Sequence, residues 1–461
     1  MNMTRSNIQP QSISGFPEWL PEEKIIEQKM IDIIRAAYEK FGFSPIETAA
    51  VEKVDILRAK GGNDKEIYCL SRLAGAEEGE DGKELALHFD LTVPLARYVA
   101  QNYSNLPFPF RRYQIQKVWR GERPQSGRFR EFYQCDIDII GDGELSLLSD
   151  AEIPSIIYSI FKQMDIGPFV ININNRKIIQ GYLNFLGIPD SDVANVLRTI
   201  DKIEKVGVDK VVSELVNSLG FSEEKVKPLI DLISLDTSST PDVINELRQM
   251  KVNDKFSEGV DELAKVLKYM GDLGVPDDYY KINISIARGL DYYTGTVYET
   301  ILKNHPGIGS VCSGGRFDNL AGYFTDKKLP GVGISIGLTR LFSKLIKAEV
   351  IKAGPSTSAP VLVTVMDPSC MNLYFKVATL LRDGGINTEV FLENKKIGIQ
   401  LKFANRKGFA LAVIAGSNEV ESGNVQLKNL KTGEQYTVSV SELVPKVSEI
   451  LSSLKKQGLW V

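Results

Sequence analysis

The residues best suited to chemistry are arginines at three separated places, with acids, amides and tyrosines between them. Arg120, Glu122 and Arg123 lie in RGERPQSGR, Arg288 in ARGLDYYTGTVYE, and Arg340 in GISIGLTRL. A guanidinium is a planar fork that makes two charge-assisted bonds and does not lose its proton, so converging arginines are the usual grip on a polyphosphate. Each of the three taken singly is weak, since a lone arginine is far more often a surface ion pair. Gln134 and Asp138 stand four apart in EFYQCDIDII, which on a strand puts them on one face. Together with a tyrosine they suit a small ligand with nitrogen donors. Tyr292 and Tyr293 are adjacent, so at most one of them faces a pocket while the other faces the core. Asp90 and Thr92 bracket the junction in FDLTVPLARYVA, and their alternative role is to cap the helix that follows.

Several chemistries are excluded. His88 and His305 are the only histidines, and neither sits near a nucleophile motif, which argues against a Ser-His-Asp or Cys-His mechanism. No GxxxxGK[ST] run is present, and SGGR at 313–316 is not a dinucleotide fingerprint. Cys69, Cys135, Cys312 and Cys370 are scattered with no CxxC pair, so neither a zinc site nor a disulfide framework is expected. The start, MNMTRSNIQPQS, lacks an apolar core and no run approaches membrane-spanning length, which predicts a soluble cytoplasmic chain. A formal net charge of −4 leaves any nucleic-acid contact to local patches.

The elements that must position these residues centre on FRRYQIQKVWRGERPQSGRFREFYQCDIDIIG, residues 110–141. Alternation predicts two strands around a Pro- and Gly-marked loop, a hairpin cationic at its tip and acidic on its return. Such a hairpin reads either as a ligand site or as a solvated charged tip. Before it, Pro21 with Glu22 and Glu23 opens a helix that Gly42 ends. SPIETAAVE reads as a strand leading into a helix, and YCLSRL and ELALHF as strands about an acidic turn at 75–83. After the hairpin come the helix LSDAEIPSIIYSIFKQM and the strand FVININN.

At 461 residues the chain is expected to hold several domains. Residues 1–189 form the first part of a core. Residues 190–271 read as a helical insertion without a strong strand, carrying 11 Lys and Arg against 16 Asp and Glu. Residues 272–352 return to strands, 353–360 (AGPSTSAP) are a linker by composition, and 361–461 form an α/β unit with 12 Lys and Arg against 9 Asp and Glu. In that unit VLVTVMD, TEVFL and LAVIAG are strands alternating with helices near 369–383 and 395–407. VQLKNL and QYTVSV form a hairpin, and a last helix runs from Ser441.

Taken together these segments resemble the histidyl-tRNA synthetases, a branch of the class II aminoacyl-tRNA synthetases, over nearly the whole chain. The hairpin is similar to the family's motif 2, GVGISIGLTRL to motif 3, ARGLDYYTGTVYE to the histidine-specific segment, and SGGRFDNL to its companion strand. Motif 1, in FGFSPIETAAVE, has Ala49 where proline is usual, and Asp90 stands where many bacterial members have glutamate.

The resemblance implies an α+β fold. A class II antiparallel sheet is flanked by helices, with a helical insertion and a C-terminal α/β anticodon-binding domain, in a homodimer. It implies that L-histidine is activated with ATP and magnesium, then passed to histidine tRNA. Arg120 and Arg288 would hold the α-phosphate and Arg340 the far end of the triphosphate. Glu122 would meet the adenine amino group and Phe132 would stack on the ring. Asp90, Leu91 and Thr92 would form the α-amino subsite, and Gln134 would meet the carboxylate. Asp138 and Tyr293 would read the imidazole, with Tyr292 lining the pocket, and Arg123 and Gln125 would approach the tRNA acceptor end. A histidine-binding regulatory paralogue is the main rival; it would lack the C-terminal domain and disrupt the arginines or RGLDYY. A synthetase for another amino acid is opposed by Asp138, Tyr293 and RGLDYY.

Overall fold

The computed structural model describes residues 9–59, 64–72, 84–123, 127–235, 239–286, 293–416 and 422–457. Two compact units are present. The first is built from the chain between Met30 and Ile351 with a preceding segment up to Pro17, the second from Glu18–Lys29 and the chain from Lys352 onward.

In chain order the strands of the first unit are β1 Ser44–Pro45, β2 Val51–Lys53, β3 Cys69–Leu70, β4 Leu85–Leu87, β5 Phe110–Trp119, β6 Glu131–Ile140, β7 Phe169–Asn175, β8 Tyr280–Ile282, β9 Tyr293–Leu302, β10 Cys312–Phe317 and β11 Gly331–Gly337. Eight of them form one sheet in the order β1-β5-β6-β11-β10-β9-β7-β8. Only the edge pairs β1–β5 and β7–β8 are parallel; every inner pair is antiparallel. The expected hairpin is β5 and β6, in a register that sets Arg112 opposite Asp138 and Gln116 opposite Gln134.

The pleat of β6 then sorts its side chains. Cys135, Ile137 and Ile139 point into a core where they are at most 1% exposed. Gln134, Asp136 and Asp138 point the other way, with Arg112, Gln114 and Gln116 beside them on β5. On the far side β11 brings Gly333 opposite Asp138 and Ser335 opposite Asp136. Gly333 is required there. A Cβ at that position would collide with Asp138 Oδ1 and with the Ile137 carbonyl.

Helices back this sheet. Leu148–Met164 forms where the apolar periodicity predicts it, and buries Ile153, Ile156, Ile157, Ile160 and Phe161. Its Asp150 is buried and is gripped by Arg316 of β10, whose Nη2 lies 2.6 Å from Oδ2. Thr92–Asn102 buries Val93, Leu95, Ala96 and Val99. Leu338–Lys347 follows β11 directly and is tied to the hairpin, since Tyr133 N donates to Thr339 Oγ1 at 2.9 Å.

SPIETAAVE differs from the expected single strand. β1 is two residues long, and β2 and the helix Val54–Arg58 follow after a gap. Pro45 has no N–H with which to extend a ladder. Among the described residues of 190–271 all regular elements are helical. The helical run starts earlier, at Arg176–Phe185, which is fastened to the helix Asp254–Asp272 where Asn253 Nδ2 donates to Gly181 O at 2.7 Å.

The second unit holds a five-stranded sheet of β12 Val361–Val363, β13 Thr388–Val390, β14 Leu411–Ile414, β15 Asn424–Asn429 and β16 Gln435–Ser439, in the order β13-β12-β14-β15-β16. Its first three strands are parallel and β15–β16 is an antiparallel hairpin. Helices Met371–Asp383 and Leu443–Lys456 pack around Val361, Val363, Tyr374, Leu411 and Leu427, while Ile397–Lys407 packs through Ala404 with Leu362 and Phe409.

Candidate active site

Two adjoining cavities open over the polar face of β6, β11 and β10. The outer one, about 340 Å³, is walled by Arg120, Glu122, Phe132, Gln134, Cys312 and Arg340 among others. The inner one, about 260 Å³, is walled by Asp90, Thr92, Asp136, Asp138, Tyr293 and Phe317 among others. Arg120, Gln134, Ser313 and Ser335 border both, so the two are parts of one cleft.

Each wall residue is placed by a local rule. Arg120 ends β5; its Nε donates to Phe89 O at 3.0 Å and its guanidinium lies 5.2 Å from the centre of the Phe132 ring. That contact fixes the side chain by stacking as well as by charge. Arg340 sits in the first turn of Leu338–Lys347 and donates from Nη2 to Ile308 O at 2.9 Å. Glu122 is half-buried and accepts from Arg128 Nη1 at 3.3 Å. Gln134 Nε2 donates to Ser335 Oγ at 2.7 Å across the β6–β11 ladder.

Asp90 does cap the helix after it: Oδ1 accepts from Thr92 N at 3.2 Å and from Val93 N at 3.0 Å. The same residue lines the inner cavity. The capping and site readings are therefore compatible, because capping orients the carboxylate.

The inner cavity is strongly acidic. Asp90, Asp136 and Asp138 all border it, and Asp136 and Asp138 are 3% and 6% exposed. Burial pushes the Asp138 carboxyl up to about 7 and that of Asp136 up to about 6, against the opposing pull of Arg112. Three carboxylates at one small opening suit a ligand carrying positive charge and N–H donors. The outer cavity has the opposite character, with Arg120 and Arg340 on its wall, and suits an anion beside a flat ring that can lie on Phe132.

The expected pairing of Arg120 with Arg340 at one opening is therefore found, as is that of Asp138 with Tyr293. Arg288, Tyr292 and Gln125 lie outside the described residues. Leu91 is fully buried and does not border either cavity, because its side chain turns into the core as the helix begins. Arg123 is exposed and borders neither cavity.

Sequence reasoning overlooked Asp136, although the alternation that joins Gln134 to Asp138 passes through it. It also overlooked Arg112, for which there was no signal until the β5–β6 register was known, and Ser313 and Ser335. Among the described residues no group of three or more His, Cys, Asp or Glu side chains is arranged to hold a metal ion. No helix among them is long and apolar enough to cross a membrane.

The chain is similar to known proteins over nearly its whole length. Residues 15–341 match the family model for histidyl-tRNA synthetase, and residues 360–450 match that for an anticodon binding domain. The histidine–tRNA ligase of Clostridium tetani is 48% identical over 445 residues, 96% of this chain and 99% of that protein. The crystal structure of histidyl-tRNA synthetase from Nostoc sp. PCC 7120 superposes with a TM-score of 0.89 at 43% identity, covering 96% of this chain and 100% of that one. An ATP phosphoribosyltransferase regulatory subunit/histidyl-tRNA synthetase from Bacillus halodurans shares the fold at a TM-score of 0.70 but only 20% identity, covering 86% of this chain and 97% of that one. With the family model matched over most of its length and near-half identity to a relative of the same span, the chain belongs to the histidyl-tRNA synthetase family.

Proposed function

We infer that the protein is an ATP-dependent histidine–tRNA ligase, which joins L-histidine to ATP as histidyl-adenylate and then transfers histidine to the 3′ end of histidine tRNA. The observation that carries this reading is the single cleft with arginines at one end and buried acids at the other. In the first step the histidine carboxylate attacks the α-phosphorus and pyrophosphate leaves. The nucleophile is already ionised, so no general base is needed. The protein's task is to hold positive charge where the phosphorus crowds with negative oxygens.

Arg120 lies between the two cavities, at the boundary where a carboxylate and an α-phosphate would meet, and is assigned to that phosphate. Arg288 is assigned to its other side and Arg340 to the far phosphates. Phe132 takes the adenine ring, with Glu122 at its amino group. Asp90 and Thr92 take the α-ammonium, Gln134 the carboxylate, and Asp138 with Tyr293 the imidazole nitrogens, with Tyr292 lining the pocket. A slot built to pair two imidazole nitrogens leaves buried groups unpaired with any other side chain, worth roughly 10⁴-fold or more in selectivity.

Magnesium belongs in this reading as the counter-ion that arrives with the triphosphate. Arg123 and Gln125 are assigned to the tRNA acceptor end, the second unit to the anticodon, and the active form is a cytoplasmic homodimer. Sedimentation tests the last point. The activity itself is tested by ATP–pyrophosphate exchange with each of the twenty amino acids. Histidine alone should drive exchange, and exchange driven by another amino acid or by none overturns the reading.

A further inference from the structure

Beneath the inner cavity lies a cation that the mechanism above does not use. Arg112 stands on β5 directly opposite Asp138, and its side chain is 0% exposed. Its Nη2 is 2.5 Å from Asp138 Oδ2. None of its three guanidinium nitrogens makes a hydrogen bond of regular geometry to a described residue. The charge is therefore held by ion contact with the acids of β6. A buried cation of this kind costs several kcal/mol in desolvation, and an apolar side chain of similar volume would avoid that cost, so stability is weak ground for its presence.

The other carboxylate oxygen, Oδ1, sits over Gly333, which borders the cavity. Resting on the reading that Asp138 receives an imidazole N–H, we propose that Arg112 is a positioning residue for histidine selection: it occupies Oδ2, favours the charged carboxylate, and leaves Oδ1 aimed into the slot. The other charged and titratable groups on the cavity wall with Asp138 are Asp136 on its own strand, Asp90 ahead of the helix Thr92–Asn102, Tyr293 and Tyr298 on β9, and Arg120 at the end of β5. Arg112 is the cation in direct contact with Asp138, and without it the buried carboxylate faces Asp136 and Asp90 with no positive charge beneath it, which favours its protonated form. A protonated Asp138 loses its charge-assisted acceptance of the imidazole N–H. Because Arg112 opposes the upward push of burial on Asp138, its removal moves that protonation to higher pH.

The test is pyrophosphate exchange with Arg112→Met, Arg112→Lys, Asp138→Asn and the Arg112→Met/Asp138→Asn double variant, at pH 6.5 to 9. Arg112→Met should raise the histidine KM at least about tenfold at pH 7, the loss of one charge-assisted bond, while the ATP KM stays within about twofold. The gap should narrow toward pH 9, and Arg112→Lys should recover part of it. In the Asp138→Asn background the Arg112→Met change should add nothing. A histidine KM rise that is independent of pH, an equal rise in the ATP KM, or a full effect persisting in the Asp138→Asn background overturns the proposal. If Arg112→Met proves insoluble, histidine binding to the double variant against Asp138→Asn makes the same comparison: equal affinity supports the proposal and weaker binding by the double variant overturns it. The two readings separate cleanly. Asp138→Asn with an unchanged histidine KM sinks the imidazole assignment itself, whereas an effect of Asp138→Asn with none from Arg112→Met sinks only the role of Arg112.

Discussion

Replacing Gly333 by alanine adds one methyl group at a place where the structure has room for none. The new carbon would lie inside van der Waals contact of Asp138 Oδ1 and of the Ile137 carbonyl oxygen. The carbonyl belongs to β6, whose register with β11 runs from Gly331 opposite Ile140 to Gly337 opposite Gln134, so it cannot retreat without opening that ladder. The carboxylate can rotate, but only by leaving its seat over β11. Overpacking of this kind costs about 1–3 kcal/mol of stability. Displacing the carboxylate forfeits a hydrogen bond to a charged group, worth about 1.5–3 kcal/mol, or about tenfold to a hundredfold in histidine KM. Gly333 does not border the outer cavity, so the ATP KM should stay within about twofold of the parent. Exchange kinetics with histidine and ATP varied in turn, together with a thermal melt, measure all three quantities. A variant with the parent's histidine KM would refute the claim that the seat over Gly333 holds the reading carboxylate. An equal rise for both substrates would mean that the sheet had shifted as a whole.

Arg340→Ala should raise the ATP KM about tenfold to a hundredfold and leave histidine binding intact, from the loss of charge-assisted bonds to phosphate; equilibrium histidine binding alongside exchange kinetics checks both halves. Arg288→Ala should still bind histidine while adenylate formation falls at least about a hundredfold, some 3 kcal/mol of transition-state stabilisation. Unchanged single-turnover adenylation would remove it from the mechanism. Deletion from Ala353 onward should reduce tRNA charging far more than adenylation. Equal loss in both would make the second unit a support for folding, a role that its inclusion of Glu18–Lys29 makes worth measuring.

The parts of this molecule that were legible in the sequence are those governed by local periodicity. The β5–β6 hairpin, the helix Leu148–Met164 and the strand and helix succession of the second unit follow from spacings within about twenty residues. Gln134 and Asp138 share a face for the same reason, and both border the inner cavity. What escaped depends on pairing between distant segments. Arg112 looks like any strand arginine until β5 is laid against β6, and Ser313 and Ser335 acquire a role only when β10 and β11 meet at the cleft. The resemblance groups Leu91 with Asp90 and Thr92, yet the start of a helix turns neighbouring side chains in different directions. The helical segment begins at Arg176 because β7 runs straight into a helix with Asn175 as its cap, whose side chain accepts from Lys177 N, a continuation that composition alone does not mark.

Asp90 serves two masters with one carboxylate. Its Oδ1 is pinned by two backbone amides of the helix it introduces, so the carboxylate on the wall of the inner cavity is oriented before any ligand enters. Asp90→Glu would push that carboxylate out by one methylene, so its place on the cavity wall and its bonds to Thr92 N and Val93 N would no longer come from one pose. A change of side-chain length at this position therefore acts on the inner cavity and on the first turn of Thr92–Asn102 together.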